Sequence, residues 1–413
     1  MRITVPSPES RVPLDKINLT EVRLYTHGDA HLAWQTLRAE CPVFWQQKSE
    51  GEGFWAVTRR ADVRRVLADH ETFSSEGGTA LAMLDASDPG AGLMMHSTDP
   101  PRHRYFREQF SKPFSGQTVA TYTDGVRKHV MKVASTATED ATWDAADAFA
   151  RLPVAVAGTL MGLPSADIEP LLRLCYEALA PLDVRYSREP SKSAATAAHW
   201  EIIEYFAKCI DQRRRRSGDD LISYLLAIEV AGEGMTEQEL LSNCLSLLLG
   251  AVITTSQAIS ATLLAMLDHH GGEAHWAPRA PVTLMVEEAL RWSSPVTHFM
   301  RRARRDTEIC GQRIQAGEAV TAWIASANRD ESVFEVPYTL DFVRSPNPHI
   351  AFGFGPHRCL GSHLARLMLH LSFTELIARI ECFELSGSPR HLASNEIAGL
   401  VNLPLRLKLR RVT

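Results

Sequence analysis

The sequence has 413 residues, 45% of them hydrophobic, so it is long enough to bury a large core as one big domain or two ordinary ones. Its formal net charge of −5 excludes the strongly basic balance that nucleic-acid binding usually needs, and we expect no nucleic-acid partner. The first ten residues have no charged segment followed by an apolar one, and no uninterrupted apolar run approaches the roughly 20 residues of a membrane span. We therefore expect a cytoplasmic protein with no membrane partner.

The predicted elements begin with a mixture of helices and strands. Residues 30–40 have the period of an amphipathic helix, residues 54–58 favour a short strand, and residues 61–69 favour a second helix. The next long segment, from Glu76 to His96, is apolar and lacks a clear period. Because it is too long for an ordinary connection, we expect it to be a functional loop.

The central part of the chain favours helices. Between Met235 and Asp268 lies the longest candidate helix, which begins with a capping box, Thr236 with Glu239, and contains no Pro. A helix that is apolar on all sides must pass through the core. The sequence therefore predicts a mainly helical body.

Strand patterns return late in the sequence. Residues 303–311 and 318–325 favour strands, and residues 403–409 alternate in polarity. We expect these later strands to form a small lobe of their own. The predicted fold class is mainly α with a smaller β-rich lobe.

One of seven cysteines lies in a distinctive setting. Phe352, Gly353 and three further residues lead through a Gly-rich turn to His357, and Cys359 and Gly361 follow just before a helical pattern. Glycine allows the close approach that a flat cofactor needs, and a helix N-terminus favours a thiolate. Taken alone, a single Cys beside a turn is more often a buried structural residue.

The segment from Phe352 to Gly361 resembles the haem-binding signature of the cytochrome P-450 family. The resemblance implies the cytochrome P-450 fold over a single domain of residues 1–413, with heme b as the cofactor and Cys359 as the ligand of its iron. Residues 288–291 are similar to the family's Glu-x-x-Arg helix. By resemblance, Glu288 and Arg291 form a buried network with Arg344 that supports the fold and does not contact substrate.

Two further stretches extend the resemblance. Residues Asp99 to Arg107 read as a helix with Asp99 as its N-cap, which places His103 and Arg107 on one face. In the family, residues that match His103, Arg107, Arg301 and His357 bind the haem propionates, and these residue types suit carboxylates.

The long helix contains a segment similar to the family's oxygen-activation segment, in which small residues make room for dioxygen and an acid–alcohol pair supplies protons. The residues concerned are Gly250, Ala251, Ile253, Thr254 and Thr255. Most relatives have an acid where this chain has Ile253, so the resemblance leaves proton delivery open. For the two threonines the alternative role is a hydroxyl bond to a helix carbonyl.

The resemblance implies a monooxygenase that uses dioxygen and takes electrons from a separate ferredoxin and its NAD(P)H-dependent reductase, since no flavin or nicotinamide fingerprint is present. The implied substrate is a hydrophobic small molecule: a terpene, a steroid or another natural-product scaffold. Alternatives are an atypical oxidation such as coupling or ring formation, a peroxide-driven reaction and, last, a haem sensor. By resemblance the substrate pocket includes Leu93, Met94, Met95, Val296, Thr297, His298, Phe299 and Ile397.

Overall fold

The computed structural model describes residues 3–7, 10–48, 50–187, 189–275 and 280–411. The α-helices in these ranges are α1 Val22–Thr26, α2 Ala30–Glu40, α3 Arg60–Ala68, α4 Arg102–Phe110, α5 Gly116–Thr121, α6 Thr123–Ala134, α7 Ala145–Leu160, α8 Ile168–Leu179, α9 Lys192–Arg215, α10 Leu221–Ala227, α11 Glu237–Val252, α12 Thr254–His270, α13 Val282–Ser293, α14 Ile324–Ala327 and α15 Ser362–Arg379. Short 3₁₀ turns occur at Leu14–Lys16, Leu81–Met83, Met95–Ser97 and Ser165–Asp167.

The strands are short and lie mostly at the two ends of the sequence. They are β1 Val43–Gln46, β2 Phe54–Val57, β3 Phe73–Ser74, β4 Trp143–Asp144, β5 Glu229–Val230, β6 Glu233–Gly234, β7 Glu273–His275, β8 Phe299–Ala303, β9 Thr307–Ile309, β10 Gln312–Ile314, β11 Ala319–Ala322, β12 Ile380–Leu385, β13 Arg390–His391, β14 Leu400–Asn402 and β15 Pro404–Leu409. The predicted mainly α fold with a smaller β-rich part is confirmed.

The later strands do not form a lobe of their own, which corrects the prediction. In the five-stranded sheet, with strand order β1-β2-β11-β8-β3, late strands β8 and β11 lie between early ones. Strand β11 runs parallel to β2, with Ala319 opposite Phe54. Pairing between strands more than 200 residues apart is determined by tertiary packing, and the local pattern of alternation does not predict it.

Two apolar clusters on either side of the long central helices form the helical core. The first joins α7, α12, α13 and α15 through side chains such as Phe149 and Phe373. The second joins α4, α8, α9 and α11 through Phe106, Tyr176 and Phe206. The candidate site lies where α4, α11 and the turn before α15 converge.

The long central helix begins as predicted but is interrupted. Its capping box is formed: the Thr236 Oγ1 accepts a hydrogen bond from the N–H of Glu239, whose carboxylate accepts one from the N–H of Thr236. The helix breaks at Ile253, between α11 and α12. The run from Glu237 to His269 is long and apolar enough to span a membrane, yet 61% of its most apolar window is buried inside the protein, as in a core helix.

Candidate active site

The turn before Cys359 depends on glycine. Gly353 and Gly355 adopt positive φ values of 71° and 76°. A Cβ on Gly355 would lie 2.7 Å from the Cα of Ala68 in α3, so only glycine lets the turn pack this closely. The N–H of Cys359 donates to the carbonyl oxygen of Phe352 at 2.8 Å. The thiol is thereby fixed just before α15, whose N-cap residue is Gly361.

Cys359 is exposed to solvent, although many protein atoms lie around its thiol. Burial raises its pKa, and the N–H of Gly361 and the guanidinium groups of Arg107 and Arg358 act in the opposite direction. Arg107 Nη1 also donates to the carbonyl oxygen of Arg358 at 2.7 Å. Cations and a helix N-terminus favour a thiolate, so this position suits a sulfur ligand of a metal.

His103 of α4 and His357 of the turn face each other, with ring centroids 4.2 Å apart. All four ring nitrogens are buried and have no hydrogen-bond partner among the described residues. Burial lowers the pKa of His103 to about 4 and that of His357 to about 2, so both imidazoles are neutral at pH 7. Each neutral ring still offers one N–H donor.

Arg301 contributes a buried positive charge to the same region. Among the described residues, its Nη1 donates only to the carbonyl oxygen of Met300, at 2.8 Å, and burial lowers its pKa to about 10. A buried cation and unpaired imidazole donors require an anionic partner, because unsatisfied buried polar groups are costly. This donor set fits the two carboxylates of a haem, and Cys359 fits its iron.

A cleft of about 430 Å³ borders α4 next to this region. Its lining includes His70, His103, Arg107 and Pro356. His70 was not singled out in the sequence, where it follows an ordinary helix end without any motif.

The predicted N-cap of α4 is wrong: Pro101 occupies that position, and the Asp99 carboxylate instead accepts a hydrogen bond from Ser75 N–H and pairs with Arg304.

The helix break gives α11 an open face. A Cβ on Gly250 would meet no atom within 4 Å, and Ala251 and Thr254 are half-buried. The Thr254 hydroxyl donates to the carbonyl oxygen of Gly250 over a long 3.4 Å, whereas Thr255 is buried. Gly250, Ala251 and Thr254 therefore share a partly accessible stretch of backbone.

Ile253 lies on a different side of the helix. It is fully buried and belongs to the second apolar cluster, together with Phe206 and Val252. The position where the resemblance leads us to expect an acid is thus filled by core packing. An acid at Ile253 would be surrounded by apolar side chains.

The predicted functional loop is irregular and is bound to α11 by polar contacts. Asn243 Nδ2 donates to the carbonyl oxygen of Leu93 at 2.8 Å, and its Oδ1 accepts from the N–H of Met95 at 3.0 Å. His96 Nδ1 lies 2.9 Å from Ser246 Oγ, one turn further along the helix. The loop conformation is therefore coupled to the helix that carries Gly250.

The predicted pocket residues divide into two groups. Met94, Met95 and Val296 pack against the second apolar cluster, which includes Ile397; Val296 and Ile397 also form a β-bridge, and Leu93 lies next to Met94 in the loop. Thr297 and His298 are fully buried, and Phe299 packs in a cluster with strands β2 and β11.

Thr297 and His298 bond to each other. Thr297 Oγ1 is 2.9 Å from His298 Nδ1, and the imidazole packs at a tilt of 38° against Trp323, with ring centroids 4.4 Å apart. The structure thus groups Met94, Met95, Val296 and Ile397 and places Thr297 and His298 in the packing behind them.

Two polar residues near this group were missed in the sequence. Glu396, beside Ile397, is half-buried. Burial raises the pKa of Glu396 to about 7. Burial also lowers the pKa of His96, which lies in the loop. Neither residue belongs to a motif, so no sequence signal marks it.

Glu288 is the centre of a buried network. It accepts from Arg291 at 2.7 and 2.8 Å and from Arg344 Nε at 3.3 Å. Arg291 also donates to the carbonyl oxygen of Asn328, whose side chain accepts from the N–H of Ile350. Hydrogen bonds thereby connect α13 to the segment that leads into the Cys359 turn.

The comparisons with known proteins agree with this arrangement. The family model for cytochrome P450 matches residues 173–273 and 281–411. The chain is 34% identical to cytochrome P450 NovI of Streptomyces niveus, over 95% of this chain and 97% of that protein. It is 27% identical to steroid C26-monooxygenase of Mycobacterium tuberculosis (strain ATCC 25618 / H37Rv), over 97% of this chain and 94% of that protein.

A solved structure is also similar: P450 OxyD, described as involved in the biosynthesis of vancomycin-type antibiotics. It matches with a TM-score of 0.82 and 32% identity, over 95% of this chain and 100% of that chain. This chain therefore belongs to the cytochrome P450 family. It is an oxidoreductase of the monooxygenase class, and the family binds haem through a Cys thiolate, as the resemblance implied.

Proposed function

We propose that this chain is a monooxygenase in which Cys359 provides the thiolate to the haem iron. The observation that carries the proposal is the pair of buried imidazoles of His103 and His357, which have no hydrogen-bond partner among the described residues and lie near the Arg301 charge. His357 is in the same turn as Cys359. His103, Arg107, Arg301 and His357 would bind the propionates, and Phe352, Gly353 and Gly361 would shape the turn against the porphyrin. When bound, the haem supplies the activation of dioxygen.

Gly250 and Ala251 would leave room for dioxygen beside the bound cofactor, and the Thr254 hydroxyl would hold a proton there. The long contact from Thr254 to Gly250 supports this role, because a hydroxyl at 3.4 Å is only weakly engaged with the helix. Thr255 supports the helix from its buried side. Since Ile253 is packed in the apolar cluster, protons reach Thr254 from solvent or from a polar group of the substrate.

We propose that the substrate is a hydrophobic scaffold of the terpene, steroid or other natural-product kind, and that it is hydroxylated. The names of a steroid C26-monooxygenase and of a protein of antibiotic biosynthesis among the relatives support this class. Met94, Met95, Val296 and Ile397 provide apolar contacts. Glu396 and His96 provide a titratable group each, so a substrate with a polar or basic substituent fits best.

We propose a single domain over residues 1–413, located in the cytoplasm and supplied with electrons by a ferredoxin and its NAD(P)H-dependent reductase. The absence of an acid at Ile253 favours one alternative: an atypical oxidation, such as coupling or ring formation, in which the substrate manages its own protons. Both forms of the proposal need the same cofactor and the same electron donor.

Measuring turnover with a panel of terpenes and steroids, driven by a ferredoxin system or by peroxide, tests this function. With the ferredoxin system, Thr254→Ala should lower the product formed per electron pair and raise peroxide release. Thr262→Ala is the matched control, because Thr262 is buried two turns further on and bonds to the carbonyl of Ala258. An equal yield of product per electron pair in the wild type and Thr254→Ala would contradict the role of Thr254. Turnover that occurs with peroxide but not with the ferredoxin system would contradict the proposed electron donor.

A further inference from the structure

Glu273, His275 and Cys382 lie together on the outer face of the four-stranded sheet, which has the strand order β4-β15-β12-β7. Cys382 of β12 is directly opposite His275 of β7. Glu273 shares their face, because side chains two residues apart on a strand point the same way. The alternate residues Ala274 and Phe383 are buried on the other face. The sheet register therefore holds an imidazole, a thiol and a carboxylate side by side at the surface.

The candidate ligand atoms are close to one another. His275 Nε2 lies 2.9 Å from Glu273 Oε1, and one imidazole nitrogen, the thiol sulfur and one carboxylate oxygen all lie within 4.8 Å of one another. Ligands of a tetrahedral zinc ion, with bonds of about 2.0 to 2.3 Å, are about 3.5 Å apart. The separations of the three atoms are therefore close to the spacing of ligands on one ion.

The neighbouring cations are occupied elsewhere. Lys408, opposite Cys382 on β15, donates to Glu381 at 2.7 Å, and Arg406 donates to Glu384 at 2.8 Å. A bound cation favours the thiolate form of a cysteine ligand.

We propose that Glu273, His275 and Cys382 bind a Zn²⁺ ion, with water as the fourth ligand. A thiolate and an imidazole select Zn²⁺ over Mg²⁺ and Ca²⁺, which require oxygen ligands. The ion would connect β7, the edge strand of the sheet, to β12. Its role is to stabilise this edge.

This zinc site is separate from the haem site. Cys359 precedes α15 and Cys382 follows it, and the 18 residues of α15 span about 27 Å. An ion on Cys382 therefore has no contact with the haem iron, and its binding can be measured independently of turnover.

Zinc binding to the full-length, haem-loaded protein tests the proposal, because the haem keeps Cys359 occupied. After removal of bound metal with a chelator, we expect one Zn²⁺ per chain to rebind, and zinc-edge X-ray absorption to show one sulfur neighbour at about 2.3 Å. Cys382→Ser should remove the sulfur signal and weaken binding by more than the roughly 10- to 100-fold typical of outer-shell changes. His275→Ala should weaken it similarly.

The matched control is Cys310→Ser, which removes an exposed cysteine outside the proposed site and should leave both the affinity and the sulfur signal unchanged. Zinc bound to the wild type without a sulfur neighbour would overturn the proposal. So would equal zinc affinity of the wild type and Cys382→Ser.

Discussion

The histidines His103 and His357 carry the strongest single-residue argument for a bound anion. Each neutral ring has one N–H donor, and a buried donor left without a partner, as both are among the described residues, costs about 1–3 kcal/mol. A fold that retains such groups in its interior gains stability when an acceptor binds to them. The carboxylates of haem are such acceptors, and Arg301 adds the charge.

His103→Leu should weaken haem retention. Losing a hydrogen bond to a charged group costs about 1.5–3 kcal/mol, so the haem dissociation rate should rise about 10- to 100-fold. Transfer of haem to an excess of an apo-globin measures this rate. The control is His363→Leu, at an exposed position near the start of α15, which should release haem at the wild-type rate. Haem release from His103→Leu at the same rate as from the wild type would contradict a role for His103 in propionate binding.

Glu396 should make stability depend on pH. Burial raises its pKa from 4.5 to about 7, so the folded state favours the protonated acid. The wild type should therefore lose stability relative to Glu396→Gln as the pH rises from about 4.5 to 7, by about 1–3 kcal/mol in all. Urea unfolding of both proteins at pH 5, 6 and 8 measures the difference. The same difference in unfolding free energy between the two proteins at all three pH values would show that burial does not disfavour the charged carboxylate.

At the scale of elements, hydrogen bonds connect the loop that carries Met94 and Met95 to α11, the helix that carries Gly250. Both polar atoms of the Asn243 amide bind loop backbone, at Leu93 and Met95. The loop has no α-helix or strand of its own between Glu76 and Met94, only the 3₁₀ turn at Leu81–Met83. Its conformation near the pocket therefore depends on these contacts.

Asn243→Ala should loosen the loop. The change removes two hydrogen bonds to the loop and a third to the carbonyl oxygen of Glu239. We expect a destabilisation of about 1–3 kcal/mol and weaker binding of a substrate that depends on Met94 and Met95. Spectral titration with a binding substrate and thermal unfolding measure the two effects. Ser242→Ala, on the preceding residue, is the control and should match the wild type. Unchanged affinity in Asn243→Ala would contradict the coupling.

Local elements were predicted well where local chemistry determines them. Helix α2 covers residues 30–40 as predicted, and the capping box of Thr236 begins α11. The break at Ile253 was missed, because the apolar pattern continues through it without Pro or a turn signal. The N-cap at Asp99 failed because Arg304 and Ser75, remote in sequence, bind its carboxylate.

At the scale of the whole molecule, the Glu288 network connects α13 to the segment before the Cys359 turn. The carboxylate is fully buried with Arg291, so its charge is retained only through its partners. The sequence indicated the Glu-x-x-Arg pair, and the resemblance implied Arg344. The links through Asn328 and Ile350 depend on tertiary packing, and no local pattern predicts them.

Glu288→Gln should destabilise the whole protein. It leaves Arg291 buried without its counter-charge, which costs about 3–5 kcal/mol. Thermal and urea unfolding of the haem-loaded protein measure this. Glu375→Gln, which breaks a surface pair with Arg379, should cost under about 1 kcal/mol. Equal effects of the two changes would contradict the structural role of Glu288.

The carbon-monoxide difference spectrum of the reduced protein tests the central claim, ligation of the haem iron by Cys359, most directly. The wild type and Cys382→Ser should both give the spectrum of a thiolate-ligated haem, because Cys382 lies beyond the far end of α15. Cys359→Ser should lose that spectrum. A thiolate spectrum that survives in Cys359→Ser, or a wild-type spectrum typical of a His-ligated haem, would contradict the account.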